Sequence, residues 1–174
     1  MRLLLPMPDT APAHIAFCPR CAAPMQTEKV GDKLRRVCPQ CRFIHFTDPK
    51  VGVGVLVQEG GRILLVRRTM NPEKGKWSLP AGFLDYGEDP KETAVREVLE
   101  ETNLVVEITG LVDVYFNPPA AGQSGASIFI LYSGRLVGGE LQAGDDADAA
   151  GFFGPADLPE LAFASTHDAV RRLK

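Results

Sequence analysis

The chain has 174 residues, 45% hydrophobic and 24% charged, the balance of a globular protein with one full core and a small appendage. A formal net charge of -3 and a pI near 5.6 exclude a global basic field, which disfavours a nucleic-acid binder with a wide phosphate-gripping surface; local basic patches remain compatible. The first apolar run, Leu3 to Leu5, is cut by Pro6, Pro8 and Pro12, and no later run approaches the roughly 18 apolar residues of a membrane span, so a cytoplasmic, membrane-free protein is expected.

Residues 1–16, rich in Pro and Ala, read as a flexible lead-in. Residues 17–46, FCPRCAAPMQTEKVGDKLRRVCPQCRFIHF, hold too few apolar side chains for a core of their own and need a staple. The four cysteines of the chain supply it: Cys18 and Cys21, then Cys38 and Cys41, form two CPxC turns sixteen residues apart. Four thiolates so spaced make a closed tetrahedral Zn²⁺ site with no open position for chemistry, so the metal is structural. Lys33, Arg35 and Arg36, between the two turns, are either the solvated edge of this ribbon or a phosphate contact.

From residue 47 to 174 the texture is that of a second, larger domain. VGVGVLVQ and ILLVRR flank the turn EGGR and predict a hairpin; VVEIT, LVDVYF and ASIFILYSGR predict three further strands, and Gly151–Phe153 a short one. A last helix is expected from Thr166 to Leu173, with Ser165 and Asp168 as its capping box. Trp77 reads as packing, and His14, His45 and His167 are given no catalytic role.

Between the strands, Asp89-Pro90-Lys91-Glu92 is a helix start: an N-cap, a proline at the first position and a Glu at the third. At 100° per residue, Ala94, Val95, Val98 and Leu99 define an apolar arc with Thr102 inside it, and Glu97, Glu100 and Glu101 a separate acidic arc nearly opposite. Three neighbouring carboxylates with only Arg96 to relieve them form either a solvated acidic face or a site for a hard divalent cation.

The run Gly82-x5-Glu88-x7-Arg96-Glu97-Val98-x-Glu100-Glu101-x-Asn103-Leu104 resembles the Nudix box of the Nudix hydrolases, with Asn103 where the family has Gly. Fixed positions in this number arise by chance on the order of once in 10⁷ starting points. The resemblance implies an α/β/α sandwich with a mixed β-sheet and hydrolysis of nucleoside diphosphates linked to another moiety. It implies Glu97, Glu100, Glu101 and the carbonyl of Ala81 as ligands of Mg²⁺ or Mn²⁺, Arg96 as the residue orienting the carboxylates, Glu88 as an accessory acid and Glu101 as general base. Asn103 is a conservative C-cap, since Asn best tolerates the left-handed conformation after Gly.

The ribbon followed by FIHFTDPKVGVGVLV and a Nudix domain resembles the NADH pyrophosphatases and, more, shorter zinc-ribbon relatives of ADP-ribose and FAD pyrophosphatases. Where the NADH enzymes carry a SQPWPFP-type segment this chain reads VYFNPPAAGQSGAS, so NADH preference is not implied. The expected reaction is cleavage of the pyrophosphate of ADP-ribose, FAD or NAD(H) with release of AMP, by a homodimer. Asp146 or Asp148 stands where relatives place a further acidic ligand, and Gly82, Phe83, Tyr115 and Phe116 are expected at the substrate, the aromatics as stacking platforms or as core. Two alternatives stay open: a nucleotide-sensing or nucleic-acid-binding regulatory module, and a hydrolase of nucleoside triphosphates or capped RNA.

Overall fold

The computed structural model describes residues 15–119 and 125–173; the lead-in up to His14 and residues 120–124 of the segment that departs from the NADH enzymes lie outside the described residues. Two compact units are present, one ending at Asp48 and one beginning at Pro49.

In the first unit, β1 (Gln26–Val30), β2 (Lys33–Val37) and β3 (Ile44–His45) form an antiparallel sheet of three strands. Its small core is Cys18, Met25 and Cys38, packed by Ile15, Cys21, Ala23 and Phe43, so two of the four cysteines are themselves the interior. Arg36 ties the strands together: its guanidinium donates to the carbonyls of Ile15 (2.9 Å) and Met25 (2.6 Å) and to Thr27 Oγ1 (2.9 Å). That side chain therefore serves as a structural clamp.

In the second unit, β4 (Lys50–Glu59) and β5 (Arg62–Arg68) form the predicted hairpin around Gly60 and Gly61, whose φ values of 56° and 74° are those of a two-residue turn matched to strand twist. The remaining elements are β6 (Trp77–Ser78), β7 (Ala81–Phe83), α1 (Pro90–Thr102), β8 (Leu104–Asn117), β9 (Ser127–Gly139), β10 (Ala147–Phe153) and α2 (Ala164–Arg171). The sheet runs β10-β5-β4-β9-β8, with β6 added to β5 and β7 to β4. β4 and β9 pair in parallel and the other described strand pairs of this sheet are antiparallel, so the sheet is mixed.

Alternation along the strands divides the core in two. Val53, Val55, Val57, Leu64 and Tyr132 face Ala94 and Val98 of α1, whereas Leu56, Ile63, Leu65 and Leu131 face Ala169 of α2. The two helices thus cover opposite faces, the expected α/β/α sandwich. Each buried Val, Leu and Ile among them contributes about 1.5–3 kcal/mol, which makes this layer the main source of stability.

Two expectations are corrected. VVEIT and LVDVYF are one strand, β8, because Gly110 is absorbed in one of three register shifts rather than ending the ladder. Helix α2 begins at Ala164 with Phe163 as an uncapped N-cap, and Asp168 is taken instead by Tyr115, Arg171 and Arg172.

Candidate active site

Helix α1 is fixed at both ends by local chemistry. Asp89 accepts hydrogen bonds from the amides of Lys91 (2.8 Å) and Glu92 (3.4 Å), and Pro90 fills the first position. At the other end Asn103 adopts the left-handed conformation expected of it (φ 55°), donates its amide to Leu99 O (2.8 Å) and its side chain to Glu140 O (2.9 Å). The helix therefore stops at Thr102, with the glutamates in its last two turns.

The acidic arc does not stand opposite the core as helical counting predicts. Ala94, Glu97, Val98, Glu101 and Thr102 form one inward stripe at spacings of three and four, while Leu99 is exposed and lines a groove of about 420 Å³ with Val95 and Ile108. Glu101 is 7% exposed and accepts the Ala81 N–H at 2.9 Å. Burial pushes its carboxyl up to about 8, despite that hydrogen bond, and Glu97 adds repulsion; burial likewise raises Glu97 above the usual carboxylate range. The Glu97 carboxylate lies directly over Gly82, where a Cβ would sit 2.1 Å from it. Gly82 is thus required for the carboxylate to reach its place beside β7.

Arg96 gathers the outer carboxylates, with Glu100 at 2.7 Å, Glu97 at 3.0 Å and Glu88 at 3.5 Å. Glu88 also accepts from the Asp85 amide (2.9 Å) and Thr93 Oγ1 (3.0 Å), and these bonds hold it below the usual carboxylate range. Ala81, Gly82, Glu88, Arg96, Glu97, Glu100 and Glu101 are thereby brought into one region. The donor set is all oxygen and mostly carboxylate, which suits Mg²⁺ or Mn²⁺, although Glu100 is turned outward to Arg96 and the three carboxylates do not converge as closely as the cysteines do.

Of the two aspartates expected as supplementary acids, Asp148 is paired with Arg67 at 2.7 Å, while Asp146 is near enough to Glu101 to raise its pKa. Asp145, not singled out from sequence, bears in the same way on Glu97 and has φ 48°. The loop is held against α1 by Gly144 N–H donating to Glu101 O (3.2 Å), and a polar loop of three acids gave no sign of which would face the helix. Arg68, also unforeseen, is the cation felt by Glu101.

The aromatic residues separate. Phe83 is 58% exposed beside a cavity of about 250 Å³ that it lines with Lys50, Val51, Leu84 and Asp85. Tyr115 packs beneath α2 and donates its hydroxyl to Asp168 at 2.8 Å. Phe116, next along the same strand, is exposed on the other face, so these two cannot serve one ring together. Trp77 packs edge-on against Phe153, as a core residue.

In the first unit, two knuckles repeat one geometry. Cys18 N–H donates to Ala23 O and Ala22 N–H to Cys18 O; Cys38 N–H donates to Phe43 O and Arg42 N–H to Cys38 O. All four sulfurs lie within 4.8 Å of one another, close to the roughly 3.8 Å separation of a zinc tetrathiolate with 2.3 Å bonds. The Arg20 amide donates to Cys18 Sγ and the Cys41 amide to Cys38 Sγ, both at 3.4 Å, so the residues fit a thiolate-bound zinc ion.

A NUDIX domain profile matches residues 48–173. The chain belongs to the Nudix hydrolase family. Among relatives of this Nudix hydrolase, an ADP-ribose pyrophosphatase of Methanocaldococcus jannaschii is 42% identical over 118 residues, 68% of this chain and 69% of that protein. An NAD-capped RNA hydrolase of Chromobacterium violaceum is 30% identical over 147 residues, covering 83% of this chain but 52% of that protein. A mitochondrial NAD(P)H pyrophosphatase of Mus musculus is 43% identical over 91 residues, a quarter (25%) of its length. In structure, a Nudix hydrolase from Nitrosomonas europaea superposes with a TM-score of 0.79 at 33% identity, covering 90% of this chain and 88% of that one. No helix among the described residues is long and apolar enough to cross a membrane.

Proposed function

We propose that this Nudix hydrolase cleaves the pyrophosphate bond of a nucleoside-diphosphate-linked substrate of the ADP-ribose, FAD or NAD(H) type and releases AMP. The observation that supports it most is the buried Glu101 beside the half-buried Glu97 on the inward stripe of α1, a costly arrangement that a divalent cation offsets. Mg²⁺ or Mn²⁺ held by Glu97, Glu100, Glu101 and the Ala81 carbonyl would supply charge opposite the diphosphate and acidify the attacking water. Glu101, held in place by the Ala81 N–H, would take the proton of that water. Arg96 keeps Glu88, Glu97 and Glu100 from repelling one another when the cation is away. Phe83, exposed one residue beyond Gly82, offers its ring to the base or second moiety of the substrate.

We assign the unit before Pro49 as a zinc ribbon, with Zn²⁺ on Cys18, Cys21, Cys38 and Cys41. The edge strand β8, with Leu111, Val114 and Phe116 exposed, supports a homodimer. The similarity to an NAD-capped RNA hydrolase over most of this chain supports a second reading, in which the adenosine diphosphate unit caps an RNA. Product analysis over ADP-ribose, FAD, NADH, NAD-capped RNA and nucleoside triphosphates, with Mg²⁺, Mn²⁺ or EDTA, tests both. AMP from the dinucleotides only in the presence of metal supports the first reading; failure to cleave any of them sinks it.

A further inference from the structure

Charge is distributed unevenly between the two units. Residues 1–48 hold seven Lys and Arg against four Asp and Glu, and the remaining 126 residues hold twelve against eighteen. The use made of the arginines differs as well. In the second unit Arg62, Arg67, Arg96, Arg135, Arg171 and Arg172 are ion-paired, and Arg68 is occupied by Pro72 O and the Phe163 ring, although Lys50, Lys74 and Lys91 have no ion pair among the described residues. In the first, Arg42 pairs with Glu28 and Arg36 is occupied by carbonyls, but among the described residues Arg20, Lys29, Lys33 and Arg35 have no ion pair.

The strand register places some of these cations together. Glu28 opposes Arg35 and Val30 opposes Lys33, so Lys33 and Arg35 project from one face of the ribbon sheet, where the charge of Glu28 is taken up by Arg42. Phe46, just beyond the Arg36–His45 pair, lies over that face: its ring centroid is 4.4 Å from the Arg35 guanidinium carbon, and the residue is 53% exposed. With more than half of its surface left to solvent, Phe46 is outside the small core of the unit and holds little beyond its contact with Arg35. A second pair of the same kind, Arg20 over Phe43 at 5.0 Å, stands at the knuckles. The two negative charges of a zinc tetrathiolate belong to the knuckles, where the amides of Arg20 and Cys41 point at Cys18 and Cys38 Sγ.

We propose that the ribbon face carrying Lys33, Arg35 and Phe46 binds single-stranded nucleic acid. Phe46 and the Arg35 plane offer stacking surfaces to an unpaired base, while Lys33 and Arg35 neutralise adjacent phosphates. A duplex, whose bases are stacked on each other, cannot use the ring. A protein partner of acidic surface would use the cations but has no need of the cation and ring together.

The test is fluorescence anisotropy of the full chain, without added Mg²⁺ or Mn²⁺, with a labelled single-stranded oligonucleotide of about 12 nucleotides and its duplex, over a salt series. The expected result is preference for the single strand, weakening with salt, and a loss of tenfold or more in Phe46→Ala and in Arg35→Glu. Arg35→Lys should retain salt-dependent affinity but lose part of the single-strand preference. Arg135→Glu, an equal charge change in the second unit, should have no effect, and thermal unfolding shows that each variant is folded. Absence of binding at low salt, equal affinity for the duplex, indifference to Phe46→Ala and Arg35→Glu, or an equal loss in Arg135→Glu would each overturn the proposal.

Discussion

Replacing Glu101 by Gln should remove metal-dependent hydrolysis and, in the metal-free protein, increase stability. The carboxyl is 7% exposed and its pKa is raised from 4.5 to about 8. A group whose folded pKa is raised contributes stability that is full below the unfolded value and is lost as pH rises through the folded one. Between about pH 4.5 and 8 the metal-free wild type should therefore lose about 1.4 kcal/mol per pH unit, about 5 kcal/mol in all and about 3 kcal/mol by neutral pH. The substituted glutamine is neutral throughout, accepts the same Ala81 N–H and offers its amide to Glu97. Thermal unfolding with EDTA across this range should show the wild-type midpoint falling below the variant by roughly 10 °C at pH 8. Saturating Mg²⁺ or Mn²⁺ should reverse the order, because only the wild type gains from binding. A variant no more stable than wild type at pH 8 would refute the buried-carboxylate account, and one with full metal-dependent activity would refute the role in catalysis.

Gly82→Ala places a methyl group 2.1 Å from the Glu97 carboxylate, so hydrolysis should fall by 100-fold or more while the fold persists, seen by steady-state kinetics with circular dichroism. Cys38→Ser should lower the zinc content of purified protein from one per chain and make residues 15–48 the first site of proteolysis, with the second unit intact by mass spectrometry. Asn103→Ala should cost about 1 kcal/mol in denaturant unfolding, because Ala has the strain of φ 55° without the Glu140 bond, whereas Asn103→Gly should come within a few tenths of wild type.

What could be read from the sequence depended on whether the physics was local. The start and stop of α1 were legible because Asp89, Pro90 and Asn103 act on their own neighbours, and so were the β4–β5 turn and the two knuckles. The inward turn of Glu97 and Glu101 was not, because charge marks a side chain for solvent unless a distant strand covers it. Their spacing from Ala94 and Val98 placed them on the same stripe; only β7, arriving over that stripe, shows that it is partly polar. The fate of Asp168 was lost for a related reason. Its sequence neighbours promised a cap, but Tyr115, 53 residues away, offered a hydroxyl and Arg172 a charge. Gly110 signalled a break, while β9 continued beside it and absorbed the irregularity in a register shift.

The alternation VGVGV in β4 has a meaning beyond the hydrophobic pattern. Its valines are one wall of the core, but on the other side a Cβ at Gly54 would meet Phe129 at 2.7 Å, Pro80 O at 2.9 Å and Ala81 Cβ at 3.0 Å. The strand has been shaved along one side so that Pro80 to Phe83 can lie flush against it, and Ala81 and Gly82 are what Glu101 and Glu97 rest upon. The alignment of the acidic residues is thus stored in a strand that bears no charge at its centre. A search for loss of activity confined to ionisable residues would overlook a single methyl group at position 54, which alters no ligand and no acid and still lifts the floor of the site.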